Sequence, residues 1–150
     1  QREPSAAYDL NDWCRLMKRL MFMGLLLTLP LSVNATGGSW SADSTGATLS
    51  HKGVSVSSRT LNPPVAIPAG AVIQDVVWRY QLLNPAPAGL AVQLCSPNRC
   101  FWLDSANGQS AALQGESAAV PLTMSLHIPG KGVVYPPVRV VSQQVIVNYR

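Results

Sequence analysis

The residues best suited to chemistry are Cys95 and Cys100, which flank the short segment Ser96–Arg99. Positions 90–94 before the pair are apolar except for Gln93, and positions 101–103 after it are apolar or aromatic, so the pattern predicts a β-hairpin with Ser96–Arg99 as its turn. In a simple hairpin register the two cysteines lie directly opposite each other. Cross-strand Cα separations of about 4.5–5.5 Å suit a disulfide.

The same register divides the hairpin into two faces. The apolar face carries residues from both strands, namely Leu90, Val92, Leu94, Phe101 and Leu103. Gln93 then faces Trp102 on the side of the bridge. A redox site is the alternative, but thiol oxidoreductases favour Cys-x-x-Cys at a helix start, and the spacing here is longer. We therefore predict a structural disulfide, worth about 2 kcal/mol in the chain-entropy model.

The other reactive side chains form no catalytic pattern. His51 and His127 have no second ligand at metal spacing, and the carboxylates after position 35 are scattered along the chain. No nucleophile elbow, phosphate loop or dinucleotide fingerprint is present. Arg79, between Trp78 and Tyr80, could bind an anion or an aromatic group, but period-two aromatics favour a core strand with Arg79 in solvent. We expect no enzyme, no metal and no cofactor.

Residues 17–35 have the organisation of a secretory signal peptide. Met17 is followed by Lys18 and Arg19, and then by the apolar stretch Leu20–Leu31. Val33-Asn34-Ala35 suits the cleavage subsites, so we expect cleavage between Ala35 and Thr36. A retained membrane anchor is the alternative, but the apolar stretch is shorter than the ~20 residues of a spanning helix.

The rest of the chain divides accordingly. Residues 1–16 have mixed charge and no clear period, so we expect them to lie upstream of the true start and outside the fold. Residues 36–150 have the size of a single domain. They carry seven basic and four acidic residues, a net charge of +3 without a basic stripe, so we expect no nucleic-acid partner.

Hydrophobic alternation in residues 36–150 predicts an all-β domain, a small antiparallel sandwich or barrel-like fold of about seven strands. Between 72 and 82, Val72, Val76 and Trp78 are expected on the core face and Ile73 opposite. The alternation slips near Ser142-Gln143, which indicates either a bulge or two short strands. Ser105–Ser117 is small and polar, so we predict a flexible loop there.

Several segments together resemble the FlhE family of flagellar proteins. They are Gly53–Arg59, Trp78-Arg79-Tyr80, Pro87–Leu90, Leu94-Cys95 with Cys100, and the final residues Gln144–Arg150. The resemblance implies a β-rich periplasmic protein of the flagellar type III export system. It further implies binding to export, rod or hook proteins, either to limit proton leak or to prevent premature assembly of subunits in the periplasm. The resemblance supplies no catalytic residues. Because the signal peptide is expected to be removed, we expect no stable membrane insertion after cleavage.

A second class of function stays open, an unrelated periplasmic binding or enzyme-inhibitor domain. Exposed aromatics lining a groove, with Trp40 or Trp102 as candidates, would favour that class.

The candidate partner-binding residues are Arg79, Trp102, Asn148, Tyr149 and Arg150. Val145–Arg150 alternates as a strand anchored in a sheet, so its first role is structural. As an edge strand it could also pair with an extended segment of a flagellar subunit.

The signal peptide leads to a first prediction. N-terminal sequencing of the exported protein should give Thr36 as the first residue, because the small side chain of Ala35 fits the cleavage subsite. A protein that starts at Met17, or one retained in the inner membrane, would contradict this.

Overall fold

A computed structural model describes residues 37–150 of the chain. The expectations for the upstream segment 1–16, the signal peptide 17–35 and the junction of Ala35 and Thr36 lie outside the described residues. Nine strands are present in the described part: β1 (Gly38–Ser44), β2 (Thr48–His51), β3 (Val56–Ser57), β4 (Ile73–Leu82), β5 (Ala91–Cys95), β6 (Cys100–Leu103), β7 (Asn107–Ser110), β8 (Thr123–His127) and β9 (Val133–Tyr149).

The strands form two antiparallel sheets, as the alternation predicted. Sheet 1 has the order β1-β9-β4-β7, with β2 also paired to β9, and sheet 2 has the order β3-β8-β5-β6. Buried residues of both sheets join in one hydrophobic core. Residues 37–150 contain no helix that is long and apolar enough to span a membrane.

Two tryptophans link this core to the loops around it. The Trp40 indole N–H donates to the carbonyl of Ala118 over 2.8 Å, and the Trp78 indole N–H donates to Ser105 over 2.9 Å. Trp78 also meets Phe101 of sheet 2 edge to face, with ring centroids 5.7 Å apart. Each indole thus buries a large apolar area while its N–H keeps a partner.

A bulge reverses the predicted faces at the start of β4. We expected Val72 in the core and Ile73 opposite, but Ile73 is fully buried and Val72 only partly. The pairing with β9 shifts between Ile73 and Asp75, so Gln74 is an extra residue in the ladder. One inserted residue moves every upstream side chain to the other face of the sheet.

A second bulge explains the slip in the alternation of β9. Gln81 pairs with Ser142 but Leu82 pairs with Val140, which leaves Val141 as the extra residue. One continuous strand with a bulge is therefore present, not two short strands. The bulge lies one residue before the Ser142-Gln143 position that the sequence indicated.

The prediction of a flexible loop at Ser105–Ser117 is wrong, because the segment contains β7. Its sequence, Asn-Gly-Gln-Ser, has no apolar alternation, yet it pairs with β4 from Val76 to Arg79. Likewise β1 and β2, which are rich in serine, glycine and threonine, raise the strand number above the predicted seven. Strand β7 forms because β4 offers it hydrogen bonds, whereas β1 and β2 combine pairing to β9 with one buried apolar residue each, Trp40 and Leu49.

Gly108 in β7 leads to a second prediction. A Cβ added there would lie 2.5 Å from the Trp78 ring, so Gly108→Ala must displace either the indole or the edge strand. We expect a loss of about 1–3 kcal/mol in the free energy of unfolding, measured by urea denaturation. Gln109→Ala, at the exposed neighbouring position, is the matched control and should stay within about 0.5 kcal/mol of wild type. Equal stability of the two variants would refute the packing argument.

Candidate binding surfaces

Cys95 and Cys100 form a disulfide across the β5–β6 hairpin, with a Cα–Cα distance of 4.0 Å. The register is the one predicted, since Cys95 pairs with Cys100 and Gln93 with Trp102. Ser96 closes the turn: its backbone N–H donates to the Arg99 carbonyl over 2.8 Å, and its hydroxyl accepts from the Arg99 N–H over 3.1 Å. Local hydrogen bonds and the covalent bridge therefore fix the same hairpin geometry.

The β6 edge, defined as the unpaired side of Cys100–Leu103, has β5 as its neighbour on the other side. In an antiparallel ladder, hydrogen-bonded and non-bonded residue pairs alternate. The Ser96–Arg99 bond makes Phe101 and Leu103 the bonded residues of β6. The backbone N–H and C=O groups of Cys100 and Trp102 therefore point away from the sheet.

Trp102 is the large aromatic side chain beside this edge and is 63% exposed. Across the outer face of sheet 2 it is followed by Gln93, Ser125 and then Ser57, one residue from each successive strand. The hydroxyls of Ser57 and Ser125 are 2.8 Å apart. Trp102 therefore stands at the edge end of a row of polar side chains and remains largely exposed.

Arg79 lies exposed on the outer face of sheet 1, as the alternation predicted. It lines two shallow clefts together with Gln144 of β9. Its neighbour Trp78 is buried and Tyr80 is half-buried, and burial raises the pKa of the Tyr80 hydroxyl. The structure gives Arg79 solvent access but does not bring it together with Trp102, which belongs to the other sheet.

The C-terminal segment is an interior strand of sheet 1, so the condition for strand addition at this segment is not met. Tyr149 pairs with Gly38 of β1 on one side and with Ile73 of β4 on the other. The Asn148 amide donates to the carboxylate of Asp75. Arg150 is exposed, but its backbone exchanges two hydrogen bonds with Val72. No backbone edge is free here among the described residues.

A further surface was not anticipated from the sequence. We call it the Tyr135 surface, a cleft of about 690 Å³ whose lining includes Leu83, Tyr135, Pro136, Pro137 and Arg139. Tyr135 is 92% exposed, and Leu83 and the nearby Val133 are also exposed. The available signal was the run Val133–Pro137, in which apolar residues and two prolines stand together without alternation.

The remaining candidate residues of the described part form no metal site and no groove. Within residues 37–150, His, Cys, Asp and Glu form no group of three that could hold a metal ion. His127 Nδ1 lies 3.3 Å from the hydroxyl of Ser55 on the outer face of sheet 2. Trp40 is buried, so it cannot line a groove. The described domain is thus a small β-sandwich with one disulfide within the chain. Its distinctive features are exposed surfaces, namely the β6 edge with Trp102, the clefts at Arg79 and the Tyr135 surface.

Comparison with known proteins agrees with this class and refines it. The family model described as "Flagellar protein FlhE" matches residues 46–150. A flagellar protein FlhE of Yersinia enterocolitica is 46% identical over 136 residues, which cover 89% of this chain and 97% of that protein. The Escherichia coli K12 protein of the same name is 45% identical over 126 residues, 83% of this chain and 95% of that protein.

A solved structure supports the same assignment. The crystal structure of FLHE aligns with a TM-score of 0.73 at 42% identity, covering 76% of this chain and 97% of that chain. The chain therefore belongs to the FlhE family of flagellar proteins. This membership removes the alternative of an unrelated binding or inhibitor domain.

The hairpin leads to a third prediction. Replacing both Cys95 and Cys100 by Ser should lower the free energy of unfolding by about 2 kcal/mol, because the unfolded chain regains the entropy of an open loop. Urea denaturation measures the change, and mass spectrometry without reductant should show the wild-type pair linked. Wild-type protein treated with reductant is the control and should lose the same stability. A free thiol of low pKa in the native protein would instead indicate redox chemistry.

Proposed function

We propose that this chain is a periplasmic, chaperone-like accessory protein of the flagellar type III export and assembly system, and that it acts by binding and not by catalysis. Its partners are export, rod or hook proteins. Membership of the FlhE family supports the flagellar role. The signal-peptide pattern of residues 17–35 supports a periplasmic location.

The Tyr135 surface is the observation that carries the binding role. Apolar residues scattered singly are common on protein surfaces, but here an almost fully exposed tyrosine, a leucine and two prolines border the same cleft. Tyrosine is enriched in interfaces because its rigid ring contributes a large contact area at a small cost in conformational entropy. Arg139 at the same cleft adds a positive charge for orientation.

Occupation of a contact surface is sufficient for either role that the family suggests. If this protein binds an export component, it would narrow the path by which protons leak through the export system. If it binds a rod or hook subunit, that subunit would be unable to assemble with its neighbours. Both outcomes require only that the protein binds its partner tightly enough and at the right stage of assembly. Neither requires a cofactor or a reacting group.

The Tyr135 surface leads to a fourth prediction. In a strain lacking the gene, a Tyr135→Ser plus Leu83→Ser variant should restore less than half of the wild-type effect on flagellar assembly and proton leak, since both side chains contribute to contact and not to the core. Assembly is scored by electron microscopy of periplasmic filaments, and proton leak by cytoplasmic pH. Periplasmic protein levels must equal those of wild type.

Val65→Ser is the matched control, because Val65 is an exposed apolar residue outside this cleft. It should complement fully. Full complementation by the double variant would remove the Tyr135 surface from the binding role. A deletion strain with normal assembly, export and proton leak would refute the flagellar function itself.

A further inference from the structure

We propose that the β6 edge binds an extended segment of a flagellar subunit by strand addition, with Trp102 as its anchor. The inference rests on the proposed function and specifies how the partner is held. The added segment would become the fifth strand of sheet 2, next to Cys100–Leu103. This places strand addition at the opposite sheet from the C-terminal segment considered above.

The backbone of β6 has the required pattern. Phe101 and Leu103 form the hydrogen bonds to β5, so Cys100 and Trp102, which alternate with them, direct their N–H and C=O groups outward. In residues 37–150 no other backbone group bonds to these outward groups. An extended peptide satisfies such a row with regularly spaced hydrogen bonds, whereas a folded surface or a sugar does not.

The composition of β6 distinguishes it from β7, β3 and β1, which also lie at sheet edges. β7 is polar, β3 has two residues, and β1 consists largely of glycine and serine with the charged Asp43. β6 reads Cys-Phe-Trp-Leu and carries no charge or proline. Proteins normally blunt a free edge with such residues to prevent pairing with other chains. An unprotected apolar edge is therefore suited to a partner.

The disulfide prepares this edge for binding. Strand addition is weakened when the receiving strand must first be ordered. The Cys95–Cys100 bridge joins the first residue of β6 to β5, and the Ser96 bonds close the turn before it. The receiving strand is thus held extended before the partner arrives.

Side chains at the edge define the chemistry of the partner. The residue of the added strand that lies directly opposite Trp102 would share the outer face with it, where an apolar side chain can pack on the indole. Exposed Arg99 precedes β6 and exposed Asp104 follows it. A segment with an acidic residue near Arg99 and a basic residue near Asp104 would complement both charges.

Purified wild-type protein with its disulfide intact provides the test. The probes are overlapping 15-residue peptides that cover the rod and hook subunits of the same flagellum. Affinity is measured by fluorescence anisotropy of labelled peptides. For each binding peptide, amide hydrogen exchange is followed by NMR, and the Cys100 and Trp102 amides should slow at least about tenfold on saturation, since both become hydrogen-bonded.

Three variants separate backbone pairing from side-chain contact. Trp102→Pro removes an outward N–H that the internal ladder does not use, and should weaken binding at least about 100-fold. Trp102→Ala keeps that N–H and should weaken binding about tenfold through loss of the indole. Gln109→Pro is the matched control on the β7 edge: the Tyr80–Ala106 bond shows that the Gln109 N–H also points outward. It should bind like wild type.

Each result decides the proposal. Wild-type affinity in Trp102→Pro, or protection of amides other than those of β6, would overturn strand addition and leave the proposed function intact. Protection of the Cys100 and Trp102 amides without peptide would show that another segment of the same chain, or a second copy in a dimer, occupies the edge, and would also overturn strand addition. If Trp102→Pro fails to fold, Trp102→Ala and the exchange pattern decide. If no rod or hook peptide binds wild type, strand addition is overturned, and if intact rod, hook and export proteins do not bind either, the proposed function fails as well.

Discussion

The strand β9 is the constraint on which sheet 1 depends. It spans Val133–Tyr149 and pairs with β1, β2 and β4, so three elements take their register from it. Val138 and Val140 of its first half and Val145 and Val147 of its second half all face the core. This is possible only because Val141 is bulged out. Without the extra residue, one half would turn its valines to solvent, since side chains alternate with a period of two.

The central position of β9 also determines where binding can occur. The second half of β9 has β1 on one side and β4 on the other, so the C-terminal residues that looked suited to pairing are interior to sheet 1. Tyr149 lies so close to β1 that a Cβ on Gly38 would be 2.7 Å from its hydroxyl. We therefore place the proposed contacts with a partner at the margins of the fold. The apolar margins are the Tyr135 surface, at the first half of β9, and the β6 edge of sheet 2.

The accuracy of the sequence predictions follows the strength of the local constraints. The β5–β6 register was predictable because alternating apolar residues and a short cysteine loop allow few other geometries. Strand β7 was not, because Gly108 and Gln109 carry no hydrophobic signal and are extended only through their bonds to β4. Ile73 was placed on the wrong face because the bulge at Gln74 arises from pairing with β9, a contact distant in sequence. Tyr135 was missed because exposure of an aromatic residue is a property of the folded surface.

In the proposed complex the disulfide would do more than stabilise the domain. A bridge of about 2 kcal/mol would stabilise the domain wherever it closed a loop of this length. Here it joins an edge strand to its neighbour, where thermal fraying is otherwise greatest. Trp102 stands two residues from the bridge, exposed, although burying that indole would have added to the core. The exposed indole forgoes the stabilisation that burial would give in the free protein, and in the proposed complex a partner strand that covers Trp102 would recover it.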